Sequence, residues 1–487
     1  MAADAQAALA ALVFLPLLAA CAVAVLPQRW LGVPVLAGLL PLPLLMVPVT
    51  AAVRQHGALE MALGGFGAPL GIVWRIDPLA VALLWLGAVV ALAVGGAAAR
   101  AWPVSKPAGR RFWSLWLLLV CAMNALLVSA DLFNLYVTLE LVTLAAIGLL
   151  AIEGKPAALR AAIRYLLLAL LGSLLYLLGV ALVYGQAGTL DLYQAGERLG
   201  ADWLPLTALA LMTAGLLLKS AIFPLHGWLP AAHGNAPGPV SAILSAMVVK
   251  VSLYAIWRLW FWMAADWRLD AAMTLLGALG AAAILYGSVL ALLQARLKMV
   301  VAYSTVAQLG YLMLVFPLLG ATGFGAAVYH LVSHGLAKAA MFLAAANLAK
   351  GLATDRIDEM AGADRRMPLD VLALALAGVS ILGLPPTGGF VAKWLMLQAA
   401  WAVQGWIWIG VILAGGLLAA AYLFRPLGRL CARPVAAPAL AGEPKAVVGR
   451  AASVLALALA LAALAAGVVP APVLGFVAGG LPPGVAP

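Results

Sequence analysis

The chain has 487 residues, 66% hydrophobic and only 9% charged, where a water-soluble globule would carry about a quarter charged; it reads as an all-α polytopic membrane protein with a single membrane domain. Its formal net charge of +11 would suit a nucleic-acid binder in a soluble protein, but here the placement of the basic residues accounts for it. Cys21, Cys121 and Cys431 lie far apart without a CxxC, which excludes the usual iron–sulfur and zinc ligand sets.

No GxGxxG or Walker lysine loop marks a nucleotide or redox cofactor site. No cofactor is therefore expected, and any redox energy has to come from a partner. Runs of about 17 to 25 apolar residues, the length that crosses a bilayer, predict fourteen spans. They cover 5–26, 31–53, 77–98, 112–130, 131–152, 161–184, 203–223, 237–261, 271–293, 299–319, 324–349, 369–403, 406–424 and 449–468. Met1 to Leu26 has no basic n-region and carries Asp4, so it reads as the first span rather than a cleaved signal.

The basic residues sort by connection. Nineteen follow odd-numbered spans, Lys298 and Lys445 among them, and five follow even-numbered spans, including Arg258 and Arg268. The positive-inside rule places the odd connections in the cytoplasm and both termini outside a bacterial or archaeal plasma membrane.

The four remaining basic residues, Lys219, Lys250, Lys338 and Lys393, fall inside apolar segments. Lys250 follows Val240 by ten residues and precedes Arg258 by eight. At about 1.5 Å per residue that leaves it roughly 12–15 Å from either polar end, beyond the ~6 Å reach of a lysine stem. A charge at that depth costs at least ~2.5–3.5 kcal/mol and usually faces a protein interior or a water-filled path. Glu140, nine residues after Asp131 and twelve before Ile152, is the one carboxylate at comparable depth. One glutamate cannot balance four ammonium groups, and burial without a counter-ion favours the neutral lysine. At least one of these lysines is therefore expected to exchange its proton readily. The blander alternative is a structural lysine held by a carboxylate or by helix-end carbonyls.

In YHLVSHGLAKAAMF, His330, His334 and Lys338 recur at i, i+4 and i+8, a drift of only about 40° per step, and so form one polar stripe. A proton relay explains it; a metal site is the rival for the two histidines, without a nearby carboxylate or cysteine to complete it. In GLPPTGGFVAKW, Pro385 and Pro386 remove two backbone donors, and Gly388 and Gly389 permit a non-helical turn. Such breaks free carbonyls at membrane depth and often mark ion sites. Lys393 lies just past this break, and Lys219 lies five residues before Pro224. Two lysines beside broken helices, five spans apart, predict two five-helix repeats, about 111–261 and 271–424, after three N-terminal helices in 1–110 and before a last helix at 449–468. Because five is odd, the repeats would be inverted. His226 and His233, in the link after Pro224, are either where protons enter or plain interfacial histidines. Asp77, Asp131 and Asp370, at span ends, are expected to cap helices.

FPLHGWLPAAHGNAPGPVSAILSAMVVKVSLYAIWR, LQARLKMVVAYSTVAQLGYL, YHLVSHGLAKAAMF and GLPPTGGFVAKW together resemble the antiporter-like subunits shared by respiratory complex I, membrane-bound hydrogenases and multi-subunit Mrp-type cation/proton antiporters. The resemblance covers about residues 110–400, with four motifs in the family's order. It implies fourteen helices, two inverted repeats, and broken seventh and twelfth helices. It also implies proton-transfer roles for Glu140, Lys219, Lys250 and Lys393, with His330, His334 and Lys338 as the bridge. DLFNLYVTLE most resembles the D subunit of Mrp antiporters, and a lysine rather than a glutamate at position 393 agrees with that and also with one of the complex I copies. Ala231 stands where the family usually has aspartate, and Gly238 where it has serine or threonine.

The reading that follows is a switchable Glu140–Lys219 ion pair passing protons towards Lys250 and then through the stripe to Lys393. It suits a subunit of a Na+ or other monovalent cation/proton antiporter. A proton-pumping subunit of a redox enzyme and a scaffold without transport remain the alternatives. The expected partners are other membrane subunits and the lipid bilayer; no nucleic acid and no metal are expected.

Overall fold

The computed structural model describes residues 2–267, 269–433 and 448–485; Arg268 and Lys445 lie outside them. Helices α1 (Ala2–Val25), α2 (Gly32–Leu39) and α3 (Leu42–His56) precede a small hairpin of β1 (Leu59–Ala62) and β2 (Val73–Ile76). Then follow α4 (Pro78–Ala98), α5 (Pro107–Val128), α6 (Leu132–Leu150), α7 (Pro156–Ala187), α8 (Leu192–Arg198), α9 (Trp203–Lys219) and α10 (Leu229–Asn235). The next segment comprises α11 (Gly238–Ile243), a π-turn at Leu244–Val248, α12 (Val249–Arg258) and a second π-turn at Leu259–Met263. The chain ends with α13 (Asp270–Leu293), α14 (Leu297–Met313), α15 (Ala321–Gly351), α16 (Ala363–Arg366), α17 (Pro368–Leu382), α18 (Gly388–Ala402), α19 (Trp406–Leu430), α20 (Arg450–Ala465) and α21 (Ala471–Ala478).

Helix dominates because a backbone crossing lipid must satisfy its own hydrogen bonds. Among the described residues ten helices are long and apolar enough alone to cross a membrane. Helix also occupies the other predicted spans, but α14 and α20 have only 17 and 16 residues, the helix of the seventh ends at Lys219, short of its predicted end, and the twelfth is divided in two. The helical fold also carries the β1–β2 hairpin. It lies between two apolar runs, pairs Glu60 with Arg75 across the strands at 2.7 Å, and alternates half-buried Val73 and Arg75 with buried Trp74 and Ile76, the period of a strand with one covered face.

The outer wall is apolar: Leu18, Leu44, Leu167, Trp203, Ile407 and Leu417 are all more than half exposed, as a surface facing lipid tails requires. Inside, α15 packs against α4, α11, α14, α17, α18 and α20. Helix pairs close through small residues, the usual solution where lipid supplies no hydrophobic drive. A Cβ on Gly215 would stand 2.2 Å from the Gly172 carbonyl oxygen between α9 and α7, and one on Gly310 would stand 2.4 Å from the Gly280 carbonyl oxygen between α14 and α13.

Asp77 and Asp131 cap their helices, accepting from the backbone N–H of Ala80 (3.0 Å) and Asn134 (2.6 Å). Asp370 does not. Its helix starts at Pro368, so the carboxylate lies inside the first turn, where it accepts from Asn347 (2.8 Å) and Ser453 (2.7 Å) and ties α17 to α15 and α20. Arg258 is no connection residue either: it is buried and grips Asp77 bidentately, both contacts 2.6 Å. Asp77 thus holds α12 as well as starting α4.

Candidate functional site: a buried polar axis

α9 stops at Lys219, and the chain unwinds over residues 220–228, with Pro224 in the unwound stretch, before α10 resumes. Pro224 cannot supply a helical N–H, and Trp228 returns instead, donating from Nε1 to the Leu218 carbonyl at 2.9 Å while stacking on Tyr165 at 4.0 Å. The break therefore leaves Lys219 anchored at a helix end. Its Nζ donates to Glu140 Oε1 at 2.8 Å and to Thr143 Oγ1 at 3.1 Å. Ser173 Oγ donates to the same Glu140 oxygen. Glu140 and Thr143 share one face of α6 by their i, i+3 spacing, so α6, α7 and α9 each contribute to the ion pair.

Lys250 is fully buried. The π-turn just before it widens the helix and displaces carbonyls from the regular ladder, and Lys250 Nζ donates to two of them, Ser245 O and Ala246 O, both at 2.9 Å. Ser245 Oγ exchanges a hydrogen bond with Thr305 Oγ1 at 3.0 Å, and Thr305 Oγ1 donates to Val301 O at 3.0 Å. Lys338 Nζ also donates to Val301 O, at 3.0 Å, and to Ser304 Oγ. Lys250 and Lys338 are thus joined through α14, a helix from which the sequence reading assigned no residue to the proton path. Gln308, one turn on, is buried and its side-chain amide has no partner among the described residues. The signal available was the polar spacing Ser304, Thr305 and Gln308 inside an apolar run.

The stripe on α15 forms as its spacing requires. His330 and His334 lie parallel with centroids 5.6 Å apart, and both are buried. Their ring nitrogens have no partner among the described residues, nor does any group of three His, Cys, Asp or Glu residues come together there to hold a metal ion. Tyr311 of α14 bridges to the last lysine: its ring lies 5.5 Å from that of His330, and Lys393 Nζ sits 4.7 Å from its centroid.

Between α17 and α18, Pro385 and Pro386 lie in the break, while Gly388 and Gly389 do not form the turn expected of them. They are the first residues of α18, capped by Thr387, and are small because the chain passes close: a Cβ on Gly389 would stand 1.8 Å from Ser380 O. The turn belongs to Gly383, at φ 86°, where an added Cβ would meet Lys393 Cδ at 2.8 Å. Lys393 Nζ reaches back over it to the carbonyls of Ile381 (2.9 Å) and Leu382 (3.0 Å) at the end of α17.

His226 and His233 are not brought into one place. His226 packs beside Phe223 and Tyr286, 5.6 Å and 5.3 Å between centroids. His233, in α10, is fully buried and stacks on Phe342 at 4.6 Å, so it is not interfacial. Lys298 likewise is no loop residue: it is buried at the start of α14 and donates to Ala236 O, just past the end of α10, at 2.6 Å. Gly238 has a packing reason, since a Cβ there would stand 2.4 Å from Ala346 Cβ on α15. Among the described residues no hydrogen bond joins Lys219 directly to Lys250.

Fold and site together define a polytopic membrane protein whose interior carries protonatable groups between two broken helices. Residues 129–419 match the family model described as NADH:quinone oxidoreductase/Mrp antiporter, TM, and the chain belongs to that family. It is 34% identical over 430 residues to the N subunit of NADH-quinone oxidoreductase of Desulforudis audaxviator, covering 85% of this chain and 84% of that one. It is 27% identical to the D subunit of the Na(+)/H(+) antiporter of Alkalihalophilus pseudofirmus, over 79% of this chain and 78% of that one. Its fold is similar to a chain of the Mrp complex from a Dietzia species, with a TM-score of 0.89 and 25% identity, covering 99% and 97% of the two chains. The chain is therefore an antiporter-type membrane subunit.

Proposed function

We propose that this chain is the proton-translocating subunit of a multi-subunit monovalent cation/proton antiporter. The observation that carries the reading is the series Glu140–Lys219, Lys250–Ser245–Thr305–Val301–Lys338 and His334–His330–Tyr311–Lys393, buried between two helix breaks. In this reading Lys219 keeps its proton while paired with Glu140 and releases it towards Lys250 when the pair opens. Water bridging the unpartnered Gln308 and histidine atoms carries it on, and Lys393 passes it out at the α17–α18 break. The likeness of the whole fold to a chain of a Mrp complex and the DLFNLYVTLE stretch support the antiporter setting, with Na+ as the first cation to test. Two inverted repeats, 111–261 and 271–424, are inferred from the paired breaks, and the basic connections support termini on the outside.

A second reading, a proton-pumping subunit of a redox enzyme, is favoured by the 34% identity to the N subunit of an NADH-quinone oxidoreductase. The experiment that separates them is gentle purification of the native complex, with its protein composition, flavin and iron measured. Hydrophobic partners without flavin or iron, and Na+-driven proton flux in proteoliposomes, are the expected result. Copurifying iron–sulfur proteins would overturn the antiporter reading in favour of the redox-driven pump.

A further inference from the structure

At the end of the molecule where the basic connections gather, a cavity of about 870 Å³ lies among the ends of α4, α15 and α20 and the start of α14. Among the described residues six cations line it, Arg100, Lys155, Arg296, Lys298, Lys350 and Arg450, with Glu153 as the one carboxylate. Their pairing is uneven. Glu153 is taken by Lys155 at 2.6 Å, Arg296 is paired with Asp355 at 2.6 Å, and Lys298 bonds a carbonyl. Arg100, Lys350 and Arg450 have no acidic partner among the described residues.

Basic connections alone would leave such side chains spread through solvent. Here they come from separate helices to line one half-open cavity, Lys298 buried in its wall and the other five exposed, an arrangement whose mutual repulsion an anion relieves. The stem of Arg100 lies against the chain just before α20, its Cδ 2.9 Å from where a Cβ on Gly449 would stand. α20 begins there with no capping side chain, leaving its first backbone N–H groups as further anion donors.

We propose that this cavity binds a phosphate group, with Arg100, Lys350 and Arg450 as its ligands and the buried Lys298 at its inner wall. Two sources share that chemistry, the headgroup of an anionic phospholipid and a soluble phosphate. Basic pockets between spanning helices take lipid phosphates, and Trp102 in the lining is a residue of the membrane interface. Bound phosphate would clamp α4, α15 and α20 together over Lys298. This does not depend on which complex the chain serves.

The test uses the intact complex, delipidated in detergent, with native mass spectrometry for bound phosphorus compounds and thermal unfolding as a second readout. Phosphatidylglycerol, phosphatidylcholine and inorganic phosphate are added separately to the parent and to Arg100→Gln/Lys350→Gln/Arg450→Gln. The expected result is a Tm rise of about 3 °C or more with phosphatidylglycerol alone, and less than about half of it in the variant, by preferential binding to the folded state. The same pattern with inorganic phosphate assigns the site to a soluble phosphate and also upholds it. Should the triple variant fail to assemble, Lys350→Gln alone is measured for a weaker form of the same loss. Equal response of parent and variants to all three additions overturns the proposal. So does cross-linking of Lys350→Cys to an acidic segment of a partner protein in the native complex, which would make the cavity a protein contact.

Discussion

Lys219 Nζ and Glu140 Oε1 lie 2.8 Å apart with side chains 3% and 18% exposed. At an effective dielectric near 20 their attraction is about 6 kcal/mol, partly screened on the glutamate side. Glu140→Gln keeps the shape and the contact with Ser173 but removes the charge, leaving an ammonium without its counter-ion, which in buried pairs costs about 3–5 kcal/mol. If about 3 kcal/mol of that enters the rate-limiting proton transfer, flux falls roughly a hundredfold. Lys219→Gln removes the group that carries the proton and is expected to fall as far. The double variant should be no slower than either single one, because the two residues act as a unit. The assay is dye-reported proton flux in proteoliposomes holding the assembled complex, with blue-native electrophoresis to establish assembly. Single variants within about threefold of the parent, or two effects that multiply in the double variant, would refute the switch.

Thr305→Val removes the hydroxyl between Ser245 and Val301, and the loss of that hydrogen-bonded link is expected to slow flux about tenfold with assembly unchanged in the same assay. Gly383→Ala places a Cβ 2.8 Å from Lys393 Cδ at φ 86° and should cost about 1–3 kcal/mol, read as a lower Tm together with lower flux. Arg258→Met strands Asp77 in the interior and should destabilise by about 3–5 kcal/mol, while Asp77→Leu/Arg258→Met should recover at least about half of that, measured by thermal unfolding of the detergent-solubilised complex.

The membrane class, most of the helical runs with the breaks at Pro224 and at Pro385 and Pro386, and the residues with no solvent to hide in were legible in the sequence. These are local properties: apolar length decides a span, proline interrupts a ladder, and a lysine ten residues from Val240 cannot reach water. The α15 stripe was legible for the same reason, since helical period alone puts His330, His334 and Lys338 on one face. What each lysine touches was decided only by tertiary structure. Lys219 meets a carboxylate 79 residues away. Lys250 and Lys393 meet carbonyls freed by irregular backbone, a π-turn in the first case and a helix end in the second. α14 carried a local signal, the polar spacing of Ser304, Thr305 and Gln308, but not what those residues touch; the withdrawal of Arg258 and Lys298 from the connections and the packing against Gly388 and Gly389 had no local signature. Each depends on which helices lie side by side, and that is set by the summed fit of many apolar side chains, which spacing along one helix does not encode.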